Sequence, residues 1–228
     1  MQRVVHWRGI DDPERFDEAT IDLGDGELSG SGTSRTPHYL LRWFLQTGPA
    51  WVTRILEVQV ESANWSRSLT LRREDDGRWI SDGRATGVPL RSDGQPLTID
   101  GSDWNATDGT PPGIVDAAGL TTALDCDLGL CPVTNTMPML RSVLPASGSA
   151  SASAPLSGPE IEFVMAWVEV PSLRVIRSQQ VYQLRRLQPD GGALVRYVGL
   201  HRSFVGDLSV DADGIVIDYQ DLAHRIDQ

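Results

Sequence analysis

The sequence predicts a mainly β protein, a single-domain antiparallel β-roll or barrel-like sheet that spans residues 1–228. The dominant hydrophobic period is two, which is the period of a strand with one buried face. Glycine-containing turn sequences separate the alternating stretches, as hairpins require. Strands do not alternate with long helical stretches, so a doubly wound fold is excluded. A chain of 228 residues is long enough to bury a full core.

Hairpins are predicted in the first half of the chain. A strand of large residues at 38–46 is separated from the alternating stretch 51–62 by the break Gly48-Pro49. Asp76-Gly77 predicts a further tight turn. Because these breaks are short, consecutive strands should pair antiparallel.

The second half continues the pattern. Strands are predicted at residues 161–170, 173–187, 193–200, 204–210 and 215–217, with turns at Asp190-Gly191-Gly192 and Asp213-Gly214. In the last segment the apolar residues recur at helical spacing; they are Tyr219, Leu222, Ala223 and Ile226. We therefore expect one short C-terminal helix.

Two segments interrupt the strand pattern. Residues 83–119 are rich in proline, glycine and acidic residues and are expected to form a loop insertion, with one short strand at 97–99. Residues 146–158 begin with an alanine and serine tract that is typical of a flexible loop. Strands resume directly after it, so no domain boundary is expected there.

The charge balance excludes several classes of function. The chain carries 31 acidic residues against 20 arginines and has no lysine, which gives a formal net charge of −11. An acidic surface repels nucleic acid, so no nucleic-acid partner is expected. Without lysine, the chain can form neither a Walker phosphate loop nor a pyridoxal Schiff base. We expect no cofactor.

The apolar runs and the cysteines bear on where the protein works. No run has the length of a signal peptide or approaches the roughly 18–20 residues of a membrane helix. Cys126 and Cys131 are too few for a disulfide framework and lack the usual spacing of a zinc site. We therefore expect a cytoplasmic protein without a transmembrane segment or a bound metal. We also expect a monomer.

The most unusual local sequence carries two carboxylates and a run of short polar residues. Asp125 and Asp127 are at i and i+2, so on a strand they point the same way and could form an acid/base pair or bind one cation. More commonly, such carboxylates accept backbone N–H groups or pair with an arginine. Thr134, Asn135 and Thr136 suit sugar hydroxyls and local backbone groups equally well.

Arg54 and Trp51 complete the candidates drawn from physical chemistry alone. Strand parity turns Arg54 inward, where it needs an acceptor because an unpaired buried charge is costly. The anionic or hydroxylated part of a ligand could supply this acceptor, but we predict that Arg54 pairs with Asp125 or Asp127 and that the pair anchors residues 134–137. Indole rings stack on sugars and line lipid grooves, and Trp51 lies beside Arg54, so we place Trp51 near a ligand.

Several motifs occur in one order: Trp51-Val52-Thr53-Arg54, a Gly77-Arg78-Trp79 hairpin, Asp125-Cys126-Asp127-Leu128, Thr134-Asn135-Thr136-Met137-Pro138, Gln180-Val181-Tyr182 and the run 211–216 before Tyr219. With these motifs in this order, the chain resembles the bacterial putative glycolipid-binding family, and the resemblance covers nearly its whole length. The resemblance implies a spiral β-roll, which is a long antiparallel sheet wrapped around one short helix. Two departures are Val133, where the family more often has phenylalanine, and Leu140-Arg141, where it tends to have adjacent arginines.

The leading hypothesis is a non-catalytic binding protein for an amphipathic ligand such as a glycolipid, held in an apolar groove with a polar mouth. The candidate ligand-binding residues are Trp51, Arg54, Asp125, Asp127, Thr134, Asn135, Thr136, Arg141, Gln180 and Tyr182. One alternative is a carbohydrate-active enzyme that uses Asp125 and Asp127 across an open cleft. Another is a protein-interaction module with an exposed apolar patch.

Overall fold

The structure confirms the mainly β architecture. The computed structural model describes residues 2–88, 93, 95, 110–145 and 157–226. Within these ranges fifteen strands form one sheet. They are β1 (Gln2–Gly9), β2 (Phe16–Gly24), β3 (Glu27–Arg35), β4 (Leu40–Thr47), β5 (Thr53–Glu61), β6 (Ser66–Arg73), β7 (Trp79–Thr86), β8 (Gly113–Ile114), β9 (Asp125–Leu128), β10 (Glu160–Val168), β11 (Arg174–Leu187), β12 (Ala193–Gly199), β13 (Phe204–Val210), β14 (Val216–Tyr219) and β15 (Ala223–Arg225).

The sheet consists of two antiparallel meanders. Strands β1 to β7 pair in chain order, and strands β10 to β15 do the same. β1 joins the two meanders by pairing with β15, where Trp7 lies opposite Arg225. The turn residues Gly77, Gly191 and Gly214 have φ values of 87°, 89° and 74°, a conformation that favours glycine.

Hydrogen bonds bring the two ends of the sheet together. β9 pairs in parallel with β10, and the backbone N–H of Thr53 in β5 donates to the carbonyl of Leu124 at 3.1 Å. β8 pairs in parallel with β11, and its Ile114 N–H donates to Ser81 Oγ of β7 at 3.1 Å. The sheet therefore curls into a barrel-like roll.

One helical segment, residues 132–143, follows β9. It consists of a 3-10 turn (Pro132–Asn135), α1 (Thr136–Pro138) and a π turn (Met139–Val143). The fixed φ of Pro132 suits the first position of a helix. Val133, Met137 and Met139 are fully buried in the common core. Separate 3-10 turns occur at Pro49–Trp51, Ala118–Leu120 and Leu200–Arg202.

The predicted C-terminal helix is wrong. The last described residues form β14 and β15, and the turn between them contains Asp221 with φ of 61°. A left-handed residue at that point interrupts a helix. β15 also gains hydrogen-bonded neighbours on both sides, β1 and β14. Strand pairing therefore overrides the helical spacing of the apolar residues.

The two predicted loops lie only partly within the described residues. β7 extends to Thr86 and β8 lies at Gly113–Ile114, so strands occupy parts of the 83–119 segment. The short strand predicted at 97–99 lies outside the described residues, as does most of the 146–158 segment.

Candidate functional site

Five of the predicted site residues meet in one buried hydrogen-bonded network. They are Asp127, Thr134, Asn135, Gln180 and Tyr182. Thr134 Oγ1 donates to Asp127 Oδ1 at 2.8 Å, and Gln180 Nε2 donates to Asp127 Oδ2 at 2.6 Å. Because these residues come from β9, the helical segment and β11, the network ties three elements together.

Tyr182 extends this network towards the helical segment. Its hydroxyl lies 3.0 Å from Gln180 Oε1 and 2.9 Å from Asn135 Oδ1. A hydroxyl carries one proton, so it donates to one of these two oxygens. Burial raises the pKa of Tyr182 well above its ordinary value, so the phenol is neutral.

Asp127 is already engaged on both carboxylate oxygens. Burial raises its pKa, although the hydrogen bonds from Gln180 and Thr134 favour the charged form. The residue is only 6 % exposed. In this structure Asp127 holds the start of the helical segment against the sheet.

Asp125 pairs with Arg141. Arg141 Nη1 donates to Asp125 Oδ1 at 2.8 Å, and Nη2 donates to Oδ2, which makes the contact bidentate. Burial raises the pKa of Asp125, and the hydrogen bond and charge of Arg141 oppose that rise. The same guanidinium lies 5.8 Å from the centre of the Phe163 ring. The pair anchors the end of the helical segment to β9.

The predicted inward orientation of Arg54 is wrong, and so is its pairing with an aspartate. β5 carries one extra residue relative to β4 between Thr53 and Ile55, which is a β-bulge. The bulge reverses the alternation, so Thr53 is buried and Arg54 is exposed. Thr53 Oγ1 accepts the backbone N–H of Cys126 at 3.0 Å, in the place where the arginine was expected.

Trp51 lies in a turn beside the Asp125–Arg141 pair. Ala50 and Trp51 have φ values of 58° and 55°, a region that costs roughly 1–3 kcal/mol for residues other than glycine. Arg141 Nη1 donates to the carbonyl of Ala50 at 3.4 Å. Trp51 packs against the core, and its buried Nε1 has no hydrogen-bond partner among the described residues.

Thr136 contacts backbone. Its Oγ1 donates to the carbonyl of Gly214 at 3.2 Å, which links the helical segment to the turn before β14. Thr136 is fully buried. This contact corresponds to the backbone role that the sequence left open for these short polar residues.

A further set of residues adjoins the network and was not identified from the sequence. Gln180 Nε2 donates to Ser178 Oγ at 3.3 Å, and Ser178 Oγ lies 2.7 Å from His201 Nδ1. The centres of the His201 and Trp167 rings are 4.6 Å apart. Burial lowers the pKa of His201 to about 4. The four histidines are scattered along the chain, so no spacing pattern could have indicated this arrangement.

A narrow apolar cavity lies between the first meander and the turn that follows β9. Its volume is about 20 Å³, which is room for about one water molecule. Its apolar lining includes Trp7, Leu41, Trp43, Leu128, Val133 and Val170. The sequence placed a ligand groove near Trp51, Arg54 and residues 134–136, and none of these lines this cavity.

The cavity also has a polar side. Asp17 and Ser34 line it, and Asp17 is 6 % exposed. Asp17 Oδ2 accepts a hydrogen bond from Arg15 Nε at 3.2 Å. Asp17 Oδ1 and Ser34 Oγ are buried and have no partner with hydrogen-bond geometry in the described part of the chain. Burial raises the pKa of Asp17, and the charge of Arg15 and the contact with the Ser34 hydroxyl, directly opposite on β3, oppose the rise.

Three other features bear on the kind of site. Across the described ranges, no three His, Cys, Asp or Glu side chains are grouped so that they could hold a metal ion. None of the helices found there has the length and apolar character to cross a membrane. Cys126 and Cys131 are free.

The fold and site define a barrel-like β-roll with a buried polar network and a small apolar cavity. A family model described as putative glycolipid-binding matches residues 4–225, and the chain belongs to this family. A crystal structure of a DUF1089 family protein from Pseudomonas aeruginosa matches with a TM-score of 0.58 and 23 % identity over 92 % of each chain. At that identity the likeness shows the fold. No curated protein matches the chain.

Proposed function

We propose that this protein is a non-catalytic binding protein for an amphipathic ligand such as a glycolipid. The observation that carries the proposal is the cavity beside the helical segment. Its wall is mostly apolar and includes two tryptophans, and Asp17 and Ser34 provide buried polar atoms on one side. Apolar sites with a few convergent polar groups are typical of small-ligand binding.

The ligand widens the cavity when it binds. Typical ligand sites have volumes of roughly 300–1,000 Å³, far above the cavity of about 20 Å³ seen here. Residues 129–133 line one wall, and they form a turn and the start of the helical segment. A shift of this turn would admit an alkyl chain without separating paired strands.

The polar atoms of the cavity suit hydroxyl groups. A ligand hydroxyl can insert between these two neighbouring side chains, donate to Asp17 Oδ1 and accept from Ser34 Oγ, because each hydroxyl both donates and accepts. The alkyl part of the ligand would contact Trp7 and Trp43. Asp125 and Asp127 are both buried, and Arg141, Thr134 and Gln180 occupy their carboxylate oxygens, which favours a structural role for them over a catalytic one.

Native mass spectrometry of the purified protein, followed by organic extraction, tests the proposal. We expect either a bound amphipathic molecule or, for lipid-free protein, a mass increase of one octyl glucoside when this glycoside is added. Glucose alone at the same concentration is the control and should not bind. Protein that carries no lipid and gains no octyl glucoside would contradict the proposal.

A further inference from the structure

The second candidate site is formed by Trp167 of β10 and by His201 and Arg202 of the turn after β12. None of these three residues lines the apolar cavity. Trp167 is 7 % exposed, and its ring contacts the His201 ring. Arg202 is exposed, and its guanidinium carbon lies 5.2 Å from the centre of the Trp167 ring.

A chain of hydrogen bonds decides which nitrogen of His201 carries the proton. The Asp127 carboxylate accepts from Gln180 Nε2, which fixes the orientation of that amide. The same Nε2 donates to Ser178 Oγ. The Ser178 proton is therefore directed to His201 Nδ1, and a neutral imidazole then carries its proton at Nε2.

His201 Nε2 at the end of this chain and Trp167 Nε1 of the neighbouring ring are two buried donors without an acceptor among the described residues. Trp167 Nε1 and His201 Nε2 are both inaccessible to solvent, and neither has a hydrogen-bond partner in the ranges that the structure describes. Both nitrogens carry protons, so they cannot satisfy each other. A buried donor without an acceptor costs about 1–3 kcal/mol, so an acceptor that bound to either nitrogen would remove that cost.

We propose that Trp167, His201 and Arg202 bind an oxyanion, namely a phosphate group that is either free or part of a lipid headgroup. The indole and imidazole N–H groups supply two neutral donors. Arg202 supplies the positive charge and further N–H donors, and guanidinium groups pair well with phosphate. A sugar hydroxyl needs both donors and acceptors, whereas these groups offer donors only.

The test uses the indole N–H signals of ¹⁵N-labelled protein, with Trp167→Phe to assign the signal of Trp167. Inorganic phosphate and dihexanoyl phosphatidic acid are titrated separately at constant ionic strength. We expect the Trp167 signal to move downfield, while that of Trp79, whose Nε1 already donates to Ala123 at 3.0 Å, stays in place. If the signal shifts with both compounds, free phosphate is enough for binding. If it shifts with phosphatidic acid alone, the site requires a phosphate that belongs to a lipid headgroup.

Two arginine-to-glutamine variants, each of which removes one positive charge, distinguish binding at this site from a general effect of the protein's net charge. Arg202→Gln should weaken phosphate binding at least about tenfold, which is about 1.4 kcal/mol. Arg84→Gln, at an exposed position of β7, should leave the affinity unchanged. Trp167→Phe removes part of a ring that is 7 % exposed, so it should lower the melting temperature moderately through lost packing, and it serves only to assign the signal. A Trp167 signal that ignores both compounds, or equal effects of the two arginine variants, would overturn the proposal.

Discussion

Arg141 and Asp125 form a bidentate ion pair between the end of the helical segment and β9. The side chains are 12 % and 1 % exposed, so the pair is largely shielded from water. The alternation of β5 predicted Arg54 as the partner of an aspartate, and in the structure Arg141 is the arginine that pairs with Asp125. The roll is therefore held to its helical segment at both ends, by Arg141 at one and by Asp127 at the other.

Removing Arg141 should destabilise the fold strongly. Arg141→Ala leaves a buried carboxylate without its partner, and breaking such a pair costs about 3–5 kcal/mol. Urea unfolding measures this loss. Arg54→Ala is the matched control, and it should change the free energy of unfolding by less than about 0.5 kcal/mol because Arg54 is exposed. Equal losses of unfolding free energy in the two variants would contradict the conclusion that Arg141, and not Arg54, is the partner of the buried carboxylate.

The hydroxyl group of Thr134 should contribute more to the stability of the fold than its methyl group does. Thr134→Val has nearly the same shape but removes the donor to Asp127, so it should cost about 1–3 kcal/mol. Thr134→Ser keeps the hydroxyl and should recover most of that stability. Melting temperatures of the parent, the serine variant and the valine variant measure this order of stability. A serine variant no more stable than the valine variant would show that the hydrogen bond contributes little.

Close packing of β3 against Trp43 should make Gly32 intolerant of a side chain. A Cβ at Gly32 would lie 2.3 Å from the carbonyl oxygen of Glu18 and 2.7 Å from the Trp43 ring. Gly32→Ala should therefore cost about 1–3 kcal/mol. At Gly24 the nearest atom is 4.0 Å away, so Gly24→Ala should be neutral or slightly stabilising. Denaturant unfolding compares the two, and equal stability would contradict the packing.

Asp211 should make the fold sensitive to acid. Burial raises its pKa, but the bonds from Arg225 and the Ile215 N–H, together with the charge of Arg3, outweigh burial and hold the pKa below its ordinary value. A lowered folded pKa means that this stabilisation is complete above the unfolded pKa of about 3.9 and is lost as pH falls through the folded pKa. Asp211→Asn should be less stable than the parent at pH 7, and the difference should shrink below about pH 4. A difference constant from pH 7 to pH 2 would exclude this role.

Much of the fold could be predicted from the sequence because its determinants are local. The strands around 161–187 alternate clearly, and turns such as Asp76-Gly77 and Asp213-Gly214 need glycine at positive φ. The last strand, β15, could not be predicted in this way. Its pairing with β1 joins residues 214 to 218 positions apart, such as Gly9 with Ala223 and Trp7 with Arg225, and that partnership leaves no local pattern.

Several of the candidate site residues lie together in the structure, and their binding of a ligand stays a prediction. The motif around Asp127 and Thr134 does form one network with Gln180 and Tyr182. The bulge at Arg54 was missed because one inserted residue leaves no mark on the composition of a strand. The cavity that includes Asp17 and Ser34 was missed because its lining comes from distant parts of the chain.

Binding of alkyl glucosides of increasing chain length, below their micelle concentrations, tests the central claim most directly. Calorimetry should show about a fourfold gain in affinity for each added CH₂, because each buried methylene contributes about 0.8 kcal/mol. Ala19 lines the cavity and Ala166 is buried elsewhere, so Ala19→Val should weaken octyl glucoside binding about tenfold while Ala166→Val leaves it unchanged. Affinity independent of chain length, or an equal effect of the two variants, would contradict the claim that an apolar chain enters this cavity.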